Sequence, residues 1–392
     1  MSQIIDAIQD LPREYVIGLS IAAFTTYYLI EVVKHPHLVC KNGPFKQFLQ
    51  DNIPLLKEKY WPTLWCFESR LQTVFASILR SSMLQDIVYK REILKLADGG
   101  EVALDWMEEG CAKDSPVVII LPGLTGASQA EYIKCLVNGA LGIGVRTVIF
   151  NYRGLGGMEL KTPRLYCAAN FEDLSEVVKH IRSTHATTLI GATGISMGGL
   201  ILGNYLAARG KSSSIDCSMI ISVPWNVLKG SESIEKPYLN SMLCRHLAGS
   251  LLRTIDKCDP IKEHKGTWDI DEIMQSKTVR QFDTAFTAKH FGYKDVEAYY
   301  RAATLHDKLQ DIPIPMLCLS AADDPFQPLE AIPVEEASKS EHVAIVITAR
   351  GGHIGFMEGL WPGKARDQYM ARLFSQYYQG MFRNGGILPQ SI

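Results

Sequence analysis

Gly194-Ile195-Ser196-Met197-Gly198-Gly199 lies between two stretches that decide how it is read. Thr188-Leu189-Ile190-Gly191-Ala192-Thr193 before it reads as a short buried strand. Leu200 to Ala208 after it is a good helix sequence, closed by Gly210. A G-x-S-x-G run between strand and helix is the context of a tight turn that presents a serine. The residues two before and two after that serine must lack bulk, which Gly194 and Gly198 satisfy, and Gly199 lets the helix pack closely on its sheet. The turn lifts the Ser196 hydroxyl clear of the sheet at a helix N-terminus, where developing negative charge is favoured. Ser196 is therefore the candidate nucleophile.

Working outward, the flanking sequence alternates strands and helices. Val88 to Ala97 and Glu101 to Met107 read as a hairpin joined at Asp98-Gly99-Gly100. Apolar strands are expected at 117–121, 145–150, 219–223, 316–320 and 343–348, with helices at 128–140, 171–184, 199–209 and 328–339. Such alternation predicts an α/β fold, a mostly parallel central sheet with helices on both faces. Residues 229–303 break the alternation with aromatic-rich, helix-like sequence and read as an inserted helical cap.

The segment Val16 to Val33 holds 18 largely apolar residues with Glu31 as its single charge. A helix over Tyr15–Val33 is ~28 Å long, enough for a bilayer core. Asp6, Asp10 and Glu14 precede it against Arg13 alone, and no A-x-A site follows, so a signal peptide is disfavoured. The expected partition is a tail and transmembrane anchor at 1–34, a linker and amphipathic pre-domain at 35–87, and a catalytic domain at 88–392. Lys34, Lys41 and Lys46 after the span place that domain on the cytosolic side, with the organelle open. Within the pre-domain, an aromatic, helix-like run begins at Trp61 and continues through Leu71, Val74, Phe75, Ile78 and Leu79. Its spacing fits one face packed on the core, the alternative being a surface against a membrane or over the site.

A chain of 392 residues with 47% hydrophobic and 21% charged residues can bury one large core, and a net charge of -2 gives no reason to expect nucleic acid. Nine scattered cysteines without a C-x-x-C pair argue for reduced thiols rather than disulfides or zinc, and no N-x-S/T sequon is present. Neither a metal-ligand cluster nor a phosphate-cradling glycine loop stands out, so no cofactor and no metal are expected.

A serine needs a histidine to take its proton and an acid to hold that histidine. In this strand order both follow the serine at the ends of later strands. His353 lies in the glycine-rich loop Gly351-Gly352-His353 after the last strand and is the candidate base. Asp324, in Ala321-Ala322-Asp323-Asp324-Pro325, is preferred over Asp323 as the acid, Asp323 being available to cap the turn or the next helix. Ser222-Val223-Pro224-Trp225-Asn226 ends an earlier strand without a carboxylate. Leu121-Pro122-Gly123-Leu124-Thr125-Gly126 follows an apolar strand, so the backbone N–H groups of Leu124 and Met197 are the candidate oxyanion donors. Asn151-Tyr152-Arg153-Gly154 reads as a sheet-edge element. His264 and Asp269 form an H-x4-D pattern in the cap, read as chance.

With these residues assembled, the chain resembles the membrane-anchored α/β-hydrolase-domain lipases of the abhydrolase-domain-containing type one and type three subgroup. The likeness rests on Tyr60 to Glu68, LPGLTG at 121–126, GISMGG at 194–199, TVRQFDTAFT at 278–287, FGYKDVEAYYRAA at 291–303, SAADDPF at 320–326 and GGHIGFMEG at 351–359. It implies the α/β-hydrolase fold, the triad Ser196, Asp324 and His353, and a single-pass membrane enzyme acting on acyl esters. Phospholipid cleavage belongs to the type-three branch, so the expected substrate is a glycerophospholipid cleaved through an acyl-enzyme. Transfer of the acyl group to an alcohol, as in similar fungal members, and hydrolysis of other lipid esters stay open. A peptidase and an inactive binding protein on the same fold are the more distant alternatives.

Overall fold

The computed structural model describes residues 12–263, 266–361 and 363–384. The tail residues Asp6 and Asp10 and the cap residue His264 lie outside the described residues. Nine strands form one sheet: β1 His37–Val39, β2 Lys90–Lys95, β3 Glu101–Met107, β4 Val117–Leu121, β5 Arg146–Asn151, β6 Ile190–Ile195, β7 Cys217–Ile221, β8 Met316–Ala321 and β9 Val343–Thr348. Their spatial order is β1-β9-β8-β7-β6-β4-β5-β3-β2. The six strands from β9 to β5 run parallel, and β1, β3 and β2 close the two edges antiparallel.

The parallel strands are apolar throughout because both faces are covered. Every residue of β4 through β9 is buried. Two large clusters divide the core, one on each side of the sheet. One packs Val117, Ile119, Leu174 and Val177, the other Val118, Ile120, Leu136 and Phe374. At about 25 cal/mol per Å² of apolar area removed from water, these two layers are the main source of stability.

In chain order the first helices are α1 Arg13–Tyr27, α2 Pro44–Asn52, α3 Ser69–Met83, α4 Glu131–Leu141, α5 Glu172–Thr184, α6 Met197–Arg209, α7 Val227–Ile234 and α8 Leu239–Asp256. α1 runs on through a π-helical turn, Tyr28–Val32, so 20 residues form one apolar helix long enough to cross a membrane. The helix 328–339 expected from sequence is divided at Pro333 into a 3-10 turn, Leu329–Ala331, and a helix, Val334–Lys339. Proline has no N–H to give and disfavours helix in the residue before it.

Residues 35–87 fold onto the same body as the rest. β1 pairs with β9, and Phe45, Phe48 and Leu49 of α2 enter the core beside the C-terminal helix Tyr369–Arg383. The aromatic run from Trp61 becomes helical only at Ser69, where the Glu68 carboxylate caps the N–H groups of Arg70 and Leu71 at 3.0 Å. The expectation of a core-packed apolar face here is reversed. Gln72, Ala76 and Arg80 are buried, while Leu71, Val74, Phe75 and Ile78 face outward.

All nine cysteines are unpaired and eight are buried, consistent with reduced structural thiols.

Candidate active site

β6 delivers Ile195 into the sheet and α6 starts at Met197, leaving Ser196 alone at the turn with φ 52 and ψ -117. A serine in this region is strained, and its surroundings hold it there. A Cβ on Gly194 would lie 2.5 Å from Gly198 O, and one on Gly198 would lie 2.3 Å from Leu121 O. Both positions are closed to any side chain. A Cβ on Gly199 would meet Ile220 at 2.8 Å, so the third glycine sets how near α6 lies to β7.

β9 leads into the loop carrying His353. Gly352 has φ 59 and Ile354 φ 62, so the loop doubles back and brings the imidazole over the elbow. His353 Nε2 lies 2.9 Å from Ser196 Oγ. On the other side of the ring, His353 Nδ1 is 2.9 Å from Asp324 Oδ2 and 3.1 Å from Oδ1. With Nδ1–H donating to the carboxylate, Nε2 is left to accept from the serine hydroxyl. Both His353 and Asp324 are buried, and the Phe326 ring sits 4.2 Å from the imidazole. Ser196, Asp324 and His353 thus come together from the ends of three separate strands.

Asp323 takes a different position. Its Oδ1 accepts from the Gly352 N–H at 3.0 Å, tying the acid loop to the histidine loop. Burial pushes its carboxyl up to about 7, against the lowering effect of that hydrogen bond and of Arg350.

Beside the elbow, Gly126 N–H donates to Gly123 O at 2.9 Å, closing the turn that holds Leu124. Two tyrosines fix this turn. The Tyr132 hydroxyl accepts from Gly123 N–H at 3.0 Å, and the Tyr152 hydroxyl donates to Pro122 O at 2.8 Å. Met197 is the first residue of α6, so its N–H has no acceptor within the helix. Leu124 and Met197 also line one narrow cleft, walled by Leu165, Leu251, Phe282 and Phe286.

Several supporting residues were not picked out from sequence. The Thr73 hydroxyl on α3 accepts the His353 N–H at 2.9 Å, and Ser222 Oγ accepts the Ile354 N–H at 3.1 Å. Buried Arg80 donates to Ile354 O at 2.8 Å, and also to Gly355 O and Gln368 Oε1. Thr73 and Arg80 lie more than 270 residues from the loop they hold, and no local pattern could link them. The cleft also carries Asp283, buried on a π-helical turn, with burial pushing its carboxyl up to about 6 and the Tyr300 hydroxyl donating to it at 2.9 Å. Asn151 and Arg153 serve structure, Asn151 bonding Asp105 and Arg153 pairing with Asp98 and Asp173. Asp269 caps the short helix Ile270–Met274.

Residues 116–360 match the family model of the α/β hydrolase fold. The chain belongs to the α/β-hydrolase family. This hydrolase is 40% identical over 380 residues to phospholipase ABHD3 of Mus musculus, covering 94% of its own length and 90% of the relative's. Protein abhd-3.2 of Caenorhabditis elegans is 35% identical over 92% of the chain and 94% of that protein. Monoacylglycerol lipase ABHD2 of Homo sapiens is 26% identical over 83% of the chain and 80% of that protein. Within its family the hydrolase therefore falls in the ABHD group, and it is an ester hydrolase.

Proposed function

We propose that this hydrolase is a membrane-anchored serine enzyme that cleaves acyl esters of glycerophospholipids through Ser196, His353 and Asp324. The observation that carries the reading is the unbroken chain of hydrogen bonds from Asp324 through the His353 ring to Ser196 Oγ. The phospholipase and lipase relatives support a lipid ester as the substrate, phospholipid above others because of the ABHD3 likeness.

In the first half-reaction Ser196 Oγ attacks the ester carbonyl carbon while His353 Nε2 takes the hydroxyl proton. The carbonyl oxygen becomes an oxyanion, which the N–H groups of Leu124 and Met197 receive. Collapse expels the lyso-lipid alkoxide, and His353 returns the proton to it, leaving the acyl group on Ser196. Water then attacks the acyl-enzyme, with His353 again taking the proton, and the free acid leaves with serine restored. Asp324 holds the Nδ1–H tautomer and the ring orientation throughout and stabilises the imidazolium. The acyl chain enters along the apolar side chains of Leu165, Leu251, Phe282 and Phe286, beside Leu124 and Met197.

The helix Arg13–Val32 is the anchor, residues 35–87 form the membrane-proximal pre-domain and 88–392 the catalytic domain with its cap. The lysines that follow the span set that domain on the cytosolic side.

The reading is tested with full-length protein and Ser196→Ala in detergent, given phosphatidylcholines of graded chain length and, in parallel, monoacylglycerol. Release of lysophospholipid and free acid by wild type alone is expected. Turnover of monoacylglycerol but not phospholipid would replace the substrate while keeping the enzyme.

A further inference from the structure

α3 turns the wrong face outward for a helix in water. Leu71, Val74, Phe75 and Ile78 fall on one stripe at i, i+3, i+4 and i+7, and all four are exposed, Ile78 at 55%. A surface helix ordinarily buries such a stripe and shows its polar side. Here the polar side faces the histidine loop, with Gln72 and Arg80 buried and Thr73 half-buried against it. The exposed stripe continues into neighbouring rings. Trp65 meets Phe75 at 5.7 Å and Trp361 at 6.0 Å, and Leu360 and Trp361 are 73% and 59% exposed. A contiguous apolar surface of this kind marks an interaction site.

The chain itself indicates what covers it. The surface runs directly into the end of the N-terminal helix: Phe67 lies 6.0 Å from Phe24 and from Tyr27, and Tyr28 lies 6.4 Å from Trp61. Tyr28 and Val32 are buried against the domain, and the Tyr28 hydroxyl donates to Pro62 O. Only Val33 to Pro36 separate this helix from β1, a reach of about 14 Å even when extended. A bilayer crossed by that helix is thus held against the face around its exit. Tryptophan and tyrosine are the side chains that favour the boundary between headgroups and acyl chains.

We propose that the outer face of α3, with Trp61, Trp65, Leu360 and Trp361, lies in the interfacial layer of the same bilayer that the N-terminal helix crosses. The proposal rests on the anchor reading above and adds a second, lateral contact to it. Because the inner face of α3 bonds the His353 loop, this contact also sets the active site at the lipid surface, where substrate need not cross water.

The test uses full-length protein in phosphatidylcholine vesicles, comparing ordinary lipid with lipid brominated on the upper acyl chain, a short-range quencher of tryptophan. Trp106 and Trp225, which are buried, and Trp268, which is half-buried, stay in the triple variant and give the background. Quenching of wild type that is lost in Trp61→Phe/Trp65→Phe/Trp361→Phe supports the docked face. A second variant, Leu71→Gln/Phe75→Gln/Ile78→Gln, is expected to raise KM for vesicle phosphatidylcholine by roughly tenfold and to leave hydrolysis of a water-soluble short-chain ester unchanged. Unquenched tryptophans in protein that resists carbonate extraction would overturn the docked face and leave the anchor standing. Release of the protein by carbonate would overturn both.

Discussion

The backbone N–H of His353 donates to the hydroxyl of Thr73 at 2.9 Å, across 280 residues of chain. The same hydroxyl donates to Ser69 O at 2.8 Å, so Thr73 is fixed on α3 and fixes the histidine loop in turn. The His353 loop is therefore positioned by a helix that lies far from it in sequence.

Removing that acceptor strands a buried N–H, at a cost of about 1–3 kcal/mol. Thr73→Val should lower kcat by roughly tenfold with KM little changed, and Thr73→Ser should restore it. Steady-state kinetics on one ester separate the two parameters. A rise in KM alone would assign Thr73 to substrate binding instead.

Asp323 gives a pH signature in stability. Burial pushes its carboxyl up to about 7 in the folded chain, from an ordinary value of 3.8. Between those values the folded chain holds a proton that the unfolded chain has released, so stability falls as pH rises through the window and levels off above it. Asp323→Asn has no carboxyl proton to lose and does not titrate. Its Tm relative to wild type should therefore climb by a few degrees from pH 5 to pH 8, measured by thermal unfolding. A difference that shrinks instead would mean that the ionised form is the one the fold prefers.

Glycine at the elbow and glycine in the cap predict opposite results. A Cβ on Gly198 would lie 2.3 Å from Leu121 O and 2.5 Å from Pro122 O, backbone atoms that cannot yield. Gly198→Ala should abolish activity and most folded yield. Gly249, inside α8, has only Arg253 Nη1 near, at 3.6 Å, so Gly249→Ala should stabilise by about 0.5–1 kcal/mol. Ester turnover and soluble yield read the first, and the denaturant midpoint reads the second.

Leu251 reaches the cleft from α8. Leu251→Trp fills part of it, so kcat/KM for long acyl chains should fall by roughly tenfold relative to short ones. A chain-length series reads the ratio, and an unchanged profile would place the acyl chain elsewhere.

Much of this was legible in the sequence, for physical reasons. The parallel strands are unbroken apolar runs bounded by turns, and β4 and β9 begin and end at the expected residues. Ser196, Asp324 and His353 follow strand ends, and the glycines beside Ser196 and His353 mark their turns in the sequence. What escaped were contacts distant in sequence and elements too brief for periodicity. β1 has three residues, too few to show alternation, and is a strand only because β9 offers an edge. The sequence of α3 shows that Leu71, Val74, Phe75 and Ile78 share a face, but periodicity does not say which medium that face meets, and here it is turned outward. The helix Tyr369–Arg383 carries buried Leu373, Phe374, Tyr377, Tyr378 and Met381 at helical spacing, a readable signal lying beyond the last strand and outside the alternation used.

The most direct measurement is fluorophosphonate labelling of the folded, full-length protein, with the modified residue located by peptide mass spectrometry. One adduct on Ser196 is expected, absent in Ser196→Ala and slowed by a factor on the order of 10³ or more in His353→Ala. An adduct on another serine, or wild type that stays unlabelled while folded, would contradict Ser196 as the nucleophile.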